Sequence, residues 1–199
     1  MKKMKVLQEE FKDFTFSKEN EEKIAEILKR YPEGRQASAI LPLFDLAQRQ
    51  CGGWLPANAI EKVTTMLGLS LIRGFEVATF YTMFNLKPVG KYHLQVCGTT
   101  PCMLAGSEEL MRTCQKRLKI DCGETTKDGL FTLNEVECIG ACVNAPAIQI
   151  NDDYYEDLSE TSLLKLLKDL EEGHKVKPGS ALGRQGSAPL KKETSRAKG

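Results

Sequence analysis

Tyr92-His-Leu-Gln-Val-Cys97-Gly-Thr-Thr-Pro-Cys102 alternates large apolar and polar side chains, then breaks into a turn with a cysteine on each side. The alternation has the period of a β-strand with one covered face. A related pattern follows: Leu130 to Val136 reads as a strand and delivers Cys138-Ile-Gly-Ala-Cys142, with 35 residues between Cys102 and Cys138. If the two strands are neighbours, both turns lie at one end of a sheet, and four sulfurs can converge there. Gly98 and Gly140 carry no side chain to block them.

Two close pairs of thiols suit a metal centre, and their spacing narrows the metal. Zinc ribbons usually separate each pair by two residues. Thioredoxin-type redox sites also use C-x-x-C, which this chain lacks. The wider C-x4-C loop is one that iron–sulfur ferredoxins use. The spacing favours Fe–S over a zinc-stabilised interaction module, but it does not separate 2Fe–2S from 4Fe–4S. Cys51, Cys114 and Cys122 are expected to be inert core residues.

Working outward, Leu104 to Leu118 reads as one helix, with Leu104, Met111, Cys114 and Leu118 on its apolar side. Residues 121–129 read as a polar loop. Ala147 to Ile150, a turn at Asn151-Asp-Asp153, and Tyr154-Tyr155 form a hairpin. Ser159 caps a last helix that Gly173 ends. The order β-α-β-β-β-α fits an α+β, thioredoxin-like sandwich. Asp152, Asp153, Glu156 and Asp157 lack the oxygen spacing of a calcium loop and read as a turn with a solvated flank. His93 reads as an ordinary sheet side chain, and His174 as solvated.

Residues 17–86 carry helical periodicity in four short runs. Pro32, Gly52-Gly53 and Gly68 punctuate them, and Ser38 and Ser70 are candidate caps. The fourth run is expected to reach Phe84. Short links between such helices suggest a small antiparallel bundle. The expected organisation is therefore an N-terminal extension over 1–16, a helical bundle over 17–86, a sheet domain over 87–172 and a flexible basic tail over 173–199. The segment 174–199 holds seven Lys or Arg against one Glu and has few large apolar residues. Such a stretch cannot bury enough surface to fold alone. It is expected to stay loose or to lie extended on a partner.

At 199 residues, 41% apolar and 28% charged, with a formal charge of +1, the chain has an ordinary globular balance. The charge gives no footprint for nucleic acid or anionic lipid. No run is long enough to span a bilayer. The first ten residues have no apolar core of a signal peptide. A cytoplasmic location, where thiols stay reduced, is expected. No Ser-His-Asp or Cys-His pairing suggests hydrolysis.

Several stretches together are similar to a known family. They are Phe75-Glu-Val-Ala-Thr-Phe-Tyr-Thr-Met-Phe84, Pro88-Val-Gly-Lys-Tyr92, Thr100-Pro-Cys102, Val136-Glu-Cys-Ile-Gly-Ala-Cys-Val-Asn-Ala-Pro146 and Asn151-Asp-Asp-Tyr-Tyr-Glu156. They resemble the thioredoxin-like 2Fe–2S subunit of respiratory complex I, the NADH:quinone oxidoreductase, over about residues 17–172 and weakly into Gly183 to Pro189. Related subunits serve NAD-linked hydrogenases and formate dehydrogenases. The resemblance implies a helical domain followed by a thioredoxin-like ferredoxin domain. It implies one 2Fe–2S cluster held by Cys97, Cys102, Cys138 and Cys142, with no catalytic residue in this chain. It also implies a neighbouring flavoprotein subunit that binds NADH and flavin mononucleotide, and from whose flavin the cluster takes single electrons. The chain has no G-x-G-x-x-G or P-loop, so NADH and flavin are expected on that partner. Further iron–sulfur subunits of the peripheral arm are implied partners. The implied location is the cytoplasmic side of the inner membrane, without membrane insertion.

Overall fold

The structure is a computed structural model that describes residues 13–187. The chain divides into two compact units between Val89 and Gly90.

The first unit contains α1 (Lys18–Leu28), α2 (Ile40–Gln50), α3 (Ala57–Met66) and α4 (Leu71–Phe80). Ser17 caps α1 by accepting the Asn20 N–H. Ser38, expected to cap the second helix, instead lies in a 3-10 turn (Gln36–Ala39) that runs directly into α2. The fourth helix stops at Phe80, short of Phe84, because Tyr81 turns extended at ψ 110°. That exit folds Phe84 back edge-on to Phe44, with ring centroids 5.5 Å apart. Phe14 and Phe16, expected within an extension, are buried in this unit's core. Apolar burial, the main favourable term in folding, explains the difference. Residues 1–12 lie outside the described residues.

The second unit is a six-stranded sheet in the order β2-β3-β1-β4-β5-β6. Its strands are β1 (Tyr92–Cys97), β2 (Glu124–Thr125), β3 (Phe131–Val136), β4 (Ile148–Ile150), β5 (Asp153–Glu156) and β6 (Gly179–Ser180). Strands β1 and β3 pair in parallel with Cys97 opposite Val136. Both therefore end at the same edge of the sheet. β4 runs antiparallel to β1, and β5 returns beside β4. The expected helix over 104–118 is two helices, α5 (Thr100–Leu104) and α6 (Ser107–Leu118). Gly106, at φ +101°, breaks them. The last helix, α7 (Glu160–Glu171), opens on a capping box between Ser159 and Ser162. Leu94, Leu133, Ile148, Leu163 and Leu167 are fully buried at the centre of this core.

The loop over 121–129 contains β2, which has no apolar alternation because both of its residues are exposed. The segment after Gly173 departs most from expectation. Residues 179–180 form β6 in parallel pairing with β5, and the chain continues across the same domain to Ser187. The segment has little apolar surface of its own and is held by polar groups. Residues 188–199 lie outside the described residues. No helix among the described residues is long and apolar enough to cross a membrane.

Candidate metal centre

The two turns meet as the strand register requires. Gly98 N–H donates to the Val136 carbonyl (3.0 Å) and Cys97 N–H to the Ala147 carbonyl (3.3 Å). Cys97 is thus fixed against both neighbouring strands. Cys102 follows on the first turn of α5, where Pro101 lacks only an N–H that a helix start leaves unpaired anyway. Gly98 leaves space that the Glu135 side chain occupies. A Cβ there would stand 2.2 Å from Glu135 Oε1, so the glycine makes room for that carboxylate. Gly140 holds φ +80°, a conformation that side chains disfavour, and its N–H donates to Cys138 Sγ (3.4 Å).

The four sulfurs form two unequal pairs. Cys97 and Cys102 are buried, each 1% exposed, whereas Cys138 and Cys142 are exposed. Cys138 Sγ and Cys142 Sγ are 3.7 Å apart. Two thiolates sharing one tetrahedral metal at ~2.3 Å stand about 3.8 Å apart. A single tetrahedral ion would hold all four sulfurs at that separation. Among the described residues, the ligand atoms found three together within 4.8 Å are those of Asp169, Glu172 and His174, not those of the cysteines. The closeness of the Cys138 and Cys142 sulfurs suits two thiolates that share one metal ion.

Hydrogen bonds reach the sulfurs from both turns. Burial pushes the Cys97 thiol up. Bonds from the Thr99 hydroxyl and from the Thr99 and Ile139 backbone N–H groups outweigh it and hold this thiol below its usual value. The Thr99 hydroxyl lies 3.3 Å from Cys97 Sγ. Burial pushes Cys102 up to about 11, against a bond from the Ala147 N–H, and the Cys97 and Cys142 sulfurs add to the rise. The adjacent Cys138 sulfur, with burial, raises Cys142. Thiols this close resist ionising together, and a metal cation removes that resistance by replacing the protons.

The other cysteines separate from this group. Burial pushes Cys51 up to about 11 and Cys114 up to about 12, so both stay protonated core thiols. Cys122 departs from the expected core position. It is exposed, and its sulfur accepts the Glu135 N–H at 3.2 Å. His93 is buried, which lowers its pKa, and its Nε2 has no hydrogen-bond partner. It stands on β1 as a buried side chain of the sheet. Three participants were not read from the sequence. Thr99 bonds Cys97, Glu135 fills the space over Gly98, and Tyr154 donates its hydroxyl to the Ile139 carbonyl (2.6 Å). The Thr-Thr pair inside the first cysteine loop was the only available signal.

The sheet thus bears paired, N–H-bonded sulfurs at one edge. The profile of the thioredoxin-like [2Fe-2S] ferredoxin family matches residues 24–171, and the chain belongs to that family. Its cofactor is accordingly a 2Fe–2S cluster. The chain is 60% identical over 159 residues to an NADH-quinone oxidoreductase subunit of Rickettsia conorii, covering 80% of this chain and 95% of that protein. It is 49% identical over 183 residues to NADH dehydrogenase [ubiquinone] flavoprotein 2, mitochondrial, of Dictyostelium discoideum, covering 89% and 74%. Among solved structures, an NAD+-reducing [NiFe]-hydrogenase in the H2-reduced state superposes with a TM-score of 0.61 at 22% identity. That match covers 70% of this chain and 24% of the hydrogenase chain, and it shows the fold alone.

Proposed function

We propose that this chain is the electron-transfer subunit of an NADH:quinone oxidoreductase, and that Cys97, Cys102, Cys138 and Cys142 are the ligands of its 2Fe–2S cluster. The observation that carries the ligand assignment is the meeting of two cysteine turns at one sheet edge, with one sulfur pair at 3.7 Å. When bound, the cluster supplies a one-electron couple. The chain's own residues do the rest. Cys97 and Cys102 anchor the group from the buried side. The Thr99 hydroxyl and the N–H groups of Thr99, Ile139, Ala147 and Gly140 point at sulfur and offset added negative charge. The exposed Cys138 and Cys142 leave the opposite side open to an electron partner.

That partner, in our reading, is a flavoprotein subunit that binds NADH and flavin mononucleotide and exchanges single electrons with this chain. The names of the curated relatives support an oxidoreductase assembly. Ile72, Phe80 and Met83 of the first unit, 64%, 76% and 54% exposed, are the candidate contact residues in this reading. Side chains of this kind on a folded surface mark protein contacts when they cluster. Further iron–sulfur subunits complete the assembly, at the cytoplasmic side of the inner membrane. Reconstitution tests the proposal. With the flavoprotein present, NADH should reduce the cluster as followed by electron paramagnetic resonance. The isolated chain should stay oxidised under the same NADH. Failure of NADH to reduce the cluster in the reconstituted pair would contradict the assignment.

A further inference from the structure

Glu156 ends β5 with a fully buried carboxylate, and its hydrogen-bond partners among the described residues are Asn144 and Ser187. An ionised group there is costly unless its oxygens are saturated by donors. Three donor hydrogens meet the carboxylate from two directions. Asn144 Nδ2 donates at 2.7 Å, and Asn144 lies two residues beyond Cys142. Ser187 donates its backbone N–H to both carboxylate oxygens, at 2.9 and 3.0 Å, and its hydroxyl to one of them at 3.2 Å. The same Asn144 Nδ2 also donates to the Gln185 carbonyl at 2.7 Å. One carboxylate therefore joins the second cysteine loop to the C-terminal segment.

A second clamp lies beside it. Asp157 is ion-paired with Arg184 and accepts the Ser180 hydroxyl. Arg184 also reaches the Val143 carbonyl at 3.4 Å, one residue past Cys142. The Asp157 N–H donates to the Asn144 carbonyl at 2.8 Å. Tyr154 shares a strand face with Glu156 by the two-residue period, and its hydroxyl holds the Ile139 carbonyl. The cysteine loop itself has little regular structure beyond the short turn Cys142–Asn144. Its position is set by what grips it.

We propose that residues 179–187 form a strap, buckled on Glu156, that holds the Cys138–Cys142 loop in its ligand geometry and so governs how firmly the exposed sulfur pair keeps its iron. Asn144, Glu156, Arg184 and Ser187 are positioning residues. They act through Cys138 and Cys142. The inference rests on the reading of these cysteines as ligands. Loss of either grip leaves buried donors or a buried carboxylate unpaired, so strap and loop loosen together.

The test uses the full chain with Glu156→Gln, Arg184→Ala and Arg184→Lys. Glu171→Gln, which breaks the surface ion pair with Arg117, is the control. Amide hydrogen exchange is followed over residues 139–145 in cluster-free and cluster-loaded protein. Release of iron to a chelator and the resonance spectrum of the reduced cluster are followed in the loaded form. Glu156→Gln and Arg184→Ala should speed exchange in that loop by about tenfold or more, while amides of β1 and β3 stay protected. Iron release should accelerate in parallel and the spectrum should shift, with Arg184→Lys lying between wild type and Arg184→Ala. The control should match wild type. Arg184 is largely exposed, so its variants decide the matter if Glu156→Gln does not fold. Wild-type exchange over 139–145 in Arg184→Ala, or unchanged iron release, overturns the strap. If wild-type chain binds no iron, the ligand reading fails, and exchange in the cluster-free protein still decides whether the strap holds the loop.

Discussion

The two cysteine turns solve the same problem by different means. Cys97 and Cys102 come from the end of a central strand and the first turn of a helix, and both are buried. Regular hydrogen bonding fixes their backbone before any metal arrives. Cys138 and Cys142 sit on an irregular, exposed loop that side chains from β5 and the C-terminal segment grip. One turn is therefore built into the sheet, and the other is fastened onto it. The built-in pair favours retention, and the fastened pair favours access.

That contrast predicts graded responses to substitution. Cys97→Ser and Cys102→Ser should lose the cluster almost completely, because a buried turn cannot rearrange to bring a shorter, harder ligand to iron. Cys138→Ser and Cys142→Ser should retain part of the iron with an altered resonance spectrum, since their loop can adjust. Equal loss at all four positions in an iron assay would erase the distinction. A smaller effect is expected at Cys114→Ser, which places a hydroxyl in the core of the sheet unit. It should cost about 1–3 kcal/mol in a denaturation curve and leave the cluster spectrum unchanged. The exposed Cys122→Ser should change neither. Loss of iron in either variant would redraw the ligand set. Smaller again is Thr99→Val, which removes the hydroxyl 3.3 Å from Cys97 Sγ. A donor to sulfur stabilises the more negative, reduced state. A redox titration should therefore show a more negative potential, by a shift on the order of 20–40 mV. A positive shift would contradict the role given to that bond.

Stability should also depend on pH through His93. Burial lowers its folded pKa below the ordinary 6.5, so the unfolded chain binds the proton more readily. Stability should fall as pH drops through about 6.5 and below, and His93→Gln should remove that part of the slope. Unfolding curves at neutral and mildly acidic pH would show it.

The parts of this architecture with a periodic or a spacing signature were legible in the sequence. The strands at Tyr92 and Phe131, the last helix with its Ser159 cap and the four paired cysteines all have local patterns. The parallel register of Cys97 with Val136 then brings the pairs together. What was not legible depends on contacts distant in sequence. Glu156 looks like one more acid beside a turn, and only the approach of Asn144 and Ser187 buries it. The segment from Gly179 to Ser187 is small, polar and Gly-rich. Composition gives such a stretch no reason to fold, although small residues let a chain lie close against another surface. Phe14 and Phe16 precede the first helical period and were missed because two aromatic residues in a non-periodic stretch carry no phase.

The central claim is that these four cysteines hold a two-iron, two-sulfide core. The direct measurement is an iron and acid-labile sulfide count on the full chain purified without oxygen, paired with the resonance spectrum after dithionite reduction. The account predicts two irons and two sulfides per chain and the spectrum of a single reduced 2Fe–2S cluster. A well-folded, colourless preparation without iron, or one holding a single zinc, would contradict it.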